Sequence, residues 1–275
     1  MRIEVVMATY NESECIEAAI IGLAKAAVQI RQAGDEIELL LLDDESPDGT
    51  ADLAVAAAGA HGLIISVSTG PRAGLGAAYL RGFAEALQRG WADTIVTLDA
   101  DGQHDPLVMP DLLATFRSST ADLVIGSRWV KGGSVPGLSV GRQLMSRLGI
   151  LGFSVATGVW NVRDATTSYR VFTIEVARSF EPGHLAITGY SFFSSFVGLA
   201  SAAGFVIREH PIVFGPRAGG SSKLTAKELR QFVANLPRLG WQVRSRRRRP
   251  PQVVTRSLFP ASVALHRRNC RNDGC

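Results

Sequence analysis

The sequence predicts an α/β fold, a mostly parallel sheet with helices on both faces. Three observations predict it. Short apolar runs alternate with stretches of helical periodicity as far as Ile125. The 275 residues, 46% of them hydrophobic, are enough to bury one large core. Acidic or glycine-rich turns follow the apolar runs, where open α/β sheets place their ligands.

Each element follows from its local pattern. Ile3–Met7 reads as a first buried strand, too short and too soon polar for a signal-peptide core. Asn11–Gln32 reads as a helix with Ile16, Ile20, Leu23 and Ala27 on one face and Asn11 as a cap. Glu38–Leu42 is a second strand, followed by a turn and a helix from Thr50. Leu63–Val67, Thr94–Leu98 and Asp122–Ile125 are further strands, with helices predicted over Ala73–Arg89 and Pro106–Arg117. The second half is less regular: a glycine-rich loop at Gly132–Gly137, a helix over Gly141–Thr157 and a late strand at Phe205–Ile212. Leu185–Ile207 carries no charge over 23 residues, enough to cross a bilayer. Its serines and the interruptions at Gly189 and Gly204 favour a buried helix plus strand instead. Ala226–Leu236 puts Leu229, Phe232, Val233 and Leu236 on one face, and Pro237 is expected to end that helix. Three segments result: an α/β unit over 1–224, an amphipathic helix over 225–243 and a basic, unstructured tail over 244–275.

The net charge of +4 comes from that tail, which holds nine arginines against one acid, Asp273, while the remaining chain is mildly acidic. A nucleic-acid partner would rest on the tail alone and is not expected. A solvated extension is the plain reading of the tail, and attachment to anionic lipid headgroups the functional one. Cys15, Cys270 and Cys275 lack metal-ligand spacing, which favours a reducing compartment without disulfides.

The strongest chemical signal is Asp99-Ala100-Asp101-Gly102-Gln103-His104 at the end of a buried strand. Two carboxylates delivered there by an apolar run are costly unless a cation compensates them. Oxygen ligands favour Mg²⁺ or Mn²⁺, with Asp101 and Gln103 as candidates and His104 as a second-rank one. The competing reading is a helix start at Asp105-Pro106 with no metal. Asp43-Asp44-Glu45 follows the second strand and leads into turn chemistry at Ser46-Pro47-Asp48-Gly49; a carboxylate there suits a base or ribose hydroxyl, or merely solvent. Tyr10 can stack on a nucleobase and Glu12 can bind its polar edge. Gly74-Leu75-Gly76 fits a dinucleotide fingerprint poorly, since it follows the third strand, and close helix–strand packing explains it equally well. Arg128, Arg142 with Ser146 one turn on, and Arg217 with Lys223 are candidate phosphate contacts.

Taken in order, Thr9-Tyr10-Asn11-Glu12, Asp43-Asp44, Gly74-Leu75-Gly76, Asp99-Ala100-Asp101-Gly102-Gln103-His104, Gly126-Ser127-Arg128 and Phe214-Gly215-Pro216-Arg217 resemble the family 2 glycosyltransferases of GT-A (Rossmann-like) fold. The similarity is greatest to their polyprenyl-phosphate (dolichol-phosphate) mannose synthases and covers roughly residues 1–235. The resemblance implies that Ala8, Tyr10, Glu12 and Asp44 hold the nucleotide. Asp99 and Ala100 would meet the nucleotide sugar, with Asp101 and Gln103 on the metal and Arg217 and Lys223 on the donor diphosphate. Arg128, Arg142 and Ser146 would bind the acceptor phosphate. It implies inverting transfer of a hexose, mannose from GDP-mannose, to a polyprenyl phosphate. The enzyme would work peripherally on the cytoplasmic face of a membrane, through the Leu229/Phe232/Val233/Leu236 face and the arginine tail. Because a phosphate acceptor is already an anion near pH 7, no side-chain base is needed, and Asp164 near Arg170 is not assigned as one. A UDP-glucose-dependent relative, a non-catalytic nucleotide-sugar binder and a nicotinamide enzyme are the alternatives. The chain departs from the family pattern at Ala8, where proline is usual, at Ser168, where glycine is usual, and at Ser195, near a usual glutamate.

Overall fold

The computed structural model describes residues 1–180, 191–216 and 226–247, with only the backbone of 226–229. The strands are β1 (Arg2–Thr9), β2 (Glu36–Asp43), β3 (Ile65–Thr69), β4 (Thr94–Thr97), β5 (Leu123–Ser127), β6 (Arg170–Thr173) and β7 (Ile207–Pro211). The helices are α1 (Ile16–Gln32), α2 (Thr50–Ala60), α3 (Leu75–Arg89), α4 (Met109–Ser118, after a 3-10 turn at Pro106–Val108), α5 (Val140–Thr157), α6 (Ile174–Arg178), α7 (Ser191–Ala202) and α8 (Ala226–Arg247). One seven-stranded sheet runs β3-β2-β1-β4-β6-β5-β7.

The period-two alternation of β1 and β2 assigns the two faces. Ile3, Val5 and Met7 of β1, with Leu39 and Leu41 of β2, join a core with Ile16, Ile20 and Leu23 of α1, Ala54 of α2 and Leu112 of α4. Val6, Leu40 and Leu42 point the other way, into a core of Tyr79 and Phe83 from α3, Phe153 from α5, Phe192 and Phe196 from α7 and Leu239 and Val243 from α8. The strands from β1 to β4 are parallel, as are β5 and β7, while β6 is antiparallel to both of its neighbours. This reversed strand sits in the middle of the sheet and escaped the sequence reading. Its four residues, Arg-Val-Phe-Thr, are too few to show a period.

Element boundaries move by one to a few residues. Apart from the end of α8, the largest change is at α1, which begins at Ile16 and not at Asn11. Asn11 does not cap it: its φ is +54° and its N–H donates to Ser46 Oγ at 3.1 Å.

Pro237 does not end α8, which continues through it to Arg247, inside the segment expected to be tail. Packing supports the interrupted ladder. Phe232, Leu239 and Val243 are buried, and α8 lies alongside α5 and α7. Glycines permit close approach: a Cβ at Gly152 would touch Leu236, and one at Gly240 would collide with the Ala156 carbonyl. Of the expected face, Phe232 is buried and Leu236 packs against the core, Val233 is 55% exposed, and Leu229 lies outside the residues whose side chains are described. The described part of the uncharged stretch forms α7 and β7, and among the described residues no helix is long and apolar enough to cross a membrane.

Candidate active site

The carboxyl ends of β1, β2 and β4 form one edge of the sheet. Asp43 pairs in register with Thr9 and is spent on structure, accepting from Thr9 Oγ1 at 3.2 Å and the Ser46 N–H at 2.8 Å. Asp44 is thereby turned beside the β1 end, where its N–H donates to the Thr9 carbonyl at 3.1 Å. One of its carboxylate oxygens, Oδ1, accepts from Arg81 Nη2 at 3.0 Å. The loop carrying Glu12 is tied to the same turn by the Glu12 N–H donating to Thr50 Oγ1 at 3.0 Å. Tyr10, next to the half-buried Ala8, carries the Arg72 guanidinium 4.0 Å above its ring.

Beyond β4 the acidic turn folds back on itself. Asp101 is only 6% exposed, and its Oδ1 accepts the Gln103 N–H at 3.0 Å. Gln103 donates through Nε2 to the Gly215 carbonyl at 3.2 Å, and the Gly215 N–H returns a bond to the Gln103 carbonyl at 3.0 Å. Below Asp99 and Ala100, the buried Tyr79 hydroxyl donates to the Leu98 carbonyl at 3.3 Å. His104 is buried between the rings of Tyr169 and Phe214, with Nε2 3.2 Å from Thr167 Oγ1 and Nδ1 3.5 Å from Asp99 Oδ2. Burial pushes its pKa down to about 4 against the pull of Asp101, so it is neutral at physiological pH and is a spacer, not a cation.

The donor set fits a hard cation in one particular way. Among the described residues no three His, Cys, Asp or Glu side chains gather as a complete cage. Two carboxylates on one tight turn plus the Gln103 amide match the mode in which one or two carboxylates and substrate phosphates share the ion.

The bridges His104–Phe214 and Ser134–Val213 zip this turn to the segment after β7 and to the loop after β5. That loop carries Arg128. Its Nε and Nη2 clasp Asp164 at 2.7 and 2.8 Å, and its own N–H donates to the same carboxylate at 3.0 Å. The fully buried Asp164 has its pKa lowered: desolvation opposes ionisation, but Arg128 outweighs it. The carboxylate thus belongs to Arg128 and not to Arg170, which instead donates to the carbonyls of Thr167, Phe193 and Ala165. Glu209 of β7 anchors the turn from the other side, accepting the Arg163 and Asp164 N–H groups at 2.9 Å each.

Beside Arg128 opens a cleft of about 490 Å³, bordered by Trp129, the Gly133–Pro136 loop, Gln143 and Arg147. Arg128 and Arg147 both lie over the Trp129 indole, at 5.8 and 5.2 Å. Arg142 and Ser146 do not border this cleft. One residue further along α5, Gln143 and Arg147 do, and the sequence reading missed both. Which residues of α5 border the cleft depends on how the helix packs on α8, which spacing alone does not record. Arg217 and Lys223 lie outside the described residues.

The two departures near the acceptor side are accommodated. Ser168 is absent from the positive-φ positions, so its backbone does not need glycine. Ser195 donates to the Phe192 carbonyl at 2.8 Å inside the core. At Gly76 a Cβ would lie 2.9 Å from the Phe192 ring, so that glycine serves helix packing and not a dinucleotide.

A mostly parallel sheet with an acidic turn and a basic cleft along one edge is the frame of a GT-A transferase. The chain belongs to glycosyl transferase family 2, whose model matches residues 4–179, and it is a glycosyltransferase. Two relatives are similar over nearly the whole length. One is the undecaprenyl-phosphate mannosyltransferase of Micrococcus luteus, 34% identical over 89% of this chain and 96% of its own. The other is the polyprenol monophosphomannose synthase of Mycolicibacterium smegmatis, 34% identical over 91% of this chain and 90% of its own. Among solved structures, glucosyl-3-phosphoglycerate synthase of Mycobacterium tuberculosis, in complex with Mn²⁺, UDP and phosphoglyceric acid, shares the fold. Its TM-score is 0.61 at 20% identity, over 90% of this chain and 79% of that one.

Proposed function

We propose that the protein transfers mannose from GDP-mannose to a polyprenyl phosphate, with inversion, at the cytoplasmic surface of a membrane and with Mg²⁺ or Mn²⁺. The observation that carries the reading is the meeting of two oppositely charged sites along one sheet edge. The Asp99–Gln103 turn and the Arg128/Arg147 cleft are joined through residues 213–215. The two mannosyltransferase relatives at 34% identity supply the sugar and the lipid class.

On this reading Ala8, Tyr10, Glu12 and Asp44 hold the nucleoside. Asp99 and Ala100 meet the nucleotide sugar, and Arg217 and Lys223 take the diphosphate. Asp101 and Gln103 hold the divalent ion, which when bound supplies charge stabilisation to the departing diphosphate. Arg128, already fixed by Asp164, presents a charge of constant orientation to the acceptor phosphate, and Arg147 closes it from α5. The acceptor oxygen attacks the anomeric carbon as the bond to the diphosphate breaks, through an oxocarbenium-like transition state. The acceptor is largely a dianion near neutral pH, its second pKa being about 6, so no protein base removes a proton. The ionised, doubly clasped Asp164 is consistent with that.

Membrane attachment falls to α5 in place of α8. Val140, Leu144, Leu148, Leu151 and Val155 recur every three or four residues and are all exposed, Val140 to 81%. The helix contains no acid, has Arg142 and Arg147 near its start, and has Arg244 bonded to the Ala156 carbonyl near its end. An apolar stripe with basic flanks suits a helix lying in the headgroup layer, beside the cleft that takes the lipid phosphate.

The test is transfer by the purified chain from GDP-mannose or UDP-glucose to undecaprenyl phosphate in liposomes. GDP release with formation of mannosyl-lipid is expected. EDTA should abolish it, and Asp101→Asn should lower it roughly a hundredfold or more. Transfer from UDP-glucose alone overturns the donor assignment, and transfer indifferent to EDTA overturns the metal.

A further inference from the structure

Arg81 lies outside every motif discussed so far, yet its guanidinium reaches from α3 across the β2 end to Asp44. The pair is mostly shielded: 19% of the Arg81 side chain and 8% of the Asp44 side chain are exposed. Arg81 is fixed from a second direction by the turn after β3. A Cβ on Gly70 would lie 2.6 Å from Nη1 and 2.8 Å from Cζ, so the guanidinium rests flat against the Gly70 backbone. Gly70 is itself pinned, its N–H donating to the Asp43 carbonyl at 3.1 Å. Nη2 engages Oδ1 of Asp44, which is the one bond to that carboxylate among the described residues, and Arg81 Nε is buried without a partner.

We propose that Arg81 is a positioning residue for nucleobase recognition: held by Gly70, it anchors one oxygen of Asp44 so that the other is aimed at a ring N–H of the donor base. This rests on the proposed role of Asp44 in holding the nucleoside. An ionised carboxylate only accepts hydrogen bonds. The pair therefore selects bases that carry a ring N–H beside a carbonyl, guanine or uracil, over adenine and cytosine, whose corresponding ring nitrogens are acceptors. Arg is required because its planar fork can lie against a peptide and direct a hydrogen bond at once.

The test uses the full chain with GDP, UDP, ADP and CDP as calorimetric probes and GDP-mannose as substrate. Arg81→Gln should raise the donor KM about tenfold or more with kcat within twofold, and should narrow the preference for GDP over ADP. Arg81→Lys should recover part of the loss. Gly70→Ala, which displaces the guanidinium without removing it, should reproduce the KM effect, and Arg81→Gln in an Asp44→Asn background should add nothing further. Thermal unfolding of each variant separates misfolding from misorientation. If Asp44→Asn weakens GDP binding while Arg81→Gln and Gly70→Ala do not, the positioning role is overturned and the nucleoside site stands. If Asp44→Asn is also silent, the nucleoside site falls with it.

Discussion

At the scale of single residues, the chain separates charges that serve the reaction site from charges that only tax the fold. Arg147 is proposed to be of the first kind. It faces the cleft from α5, stacked over Trp129, and makes no bond to Asp164. Arg147→Ala is expected to raise the KM for polyprenyl phosphate about tenfold while leaving that for the nucleotide sugar unchanged. Steady-state kinetics with each substrate varied in turn checks this. Glu4 is of the second kind. It is fully buried in β1 at the opposite end of the sheet, and its pKa is raised from 4.5 to about 7. Desolvation is the main cause, and Arg89, shared with Glu38, only partly offsets it; Glu38 and Glu85 push further upward. The folded state holds this proton more tightly than the unfolded chain does. The associated stability is therefore full below pH 4.5 and is lost as pH rises through 7. Glu4→Gln should leave urea stability at pH 4 unchanged and raise it at pH 8, by at most on the order of 3 kcal/mol. A variant equally stable with wild type at pH 8 would show that Arg89 neutralises Glu4 fully.

At the scale of elements, α5 and α8 differ in where their apolar residues lie. Both have an apolar side. Phe232, Leu239 and Val243 of α8 are buried while Val233 and Trp241 stay exposed; α5 buries Phe153, spends Gly149 and Gly152 on the contact with Phe232 and Leu236, and keeps Val140, Leu144, Leu148, Leu151 and Val155 outside. Replacing Leu144 and Leu148 together by Glu should abolish flotation with anionic liposomes and spare folding, since both side chains are already exposed. Phe232→Ala should do the reverse, costing about 3 kcal/mol of stability without reducing flotation. Liposome flotation paired with urea denaturation reads both variants. Amphipathicity is visible in a sequence but its partner is not. An apolar face toward protein and one toward lipid have the same period. Pro237 misled in a similar way: the local cost of an interrupted ladder was clear, but the stabilisation by Leu239 and Val243 beyond it depends on α5 and α7.

At the scale of the whole molecule, the parallel first half was legible because each strand is a run of β-branched and aliphatic residues followed by a turn with its own chemistry. The position of the Asp99–Gln103 turn was legible for the same reason, since it follows the apolar run of β4. The placement of Arg81 against Asp44 and of Arg147 beside the cleft was not, because a long side chain reaches several ångströms from its own backbone and spacing in sequence does not record reach. β6 was missed because its four residues are stabilised by neighbours on both sides, β4 and β5, and not by any pattern of their own. The segment before it is fastened by Arg170 to three carbonyls and by Asp164 to Arg128, so long-range bonds make up for weak local propensity.

The reversed strand has a further consequence. To its one side lie β3, β2, β1 and β4, all from the first hundred residues; to its other side lie β5 and β7 from the remainder. The sheet is thus a joint between two stretches of chain, the first bearing the surface proposed for the nucleoside, the second the cleft proposed for the lipid phosphate together with Arg217 and Lys223, and one shared core binds the two. A change in either reactant's berth must therefore stay compatible both with the seam along β6 and with the aromatic layer that the two stretches share.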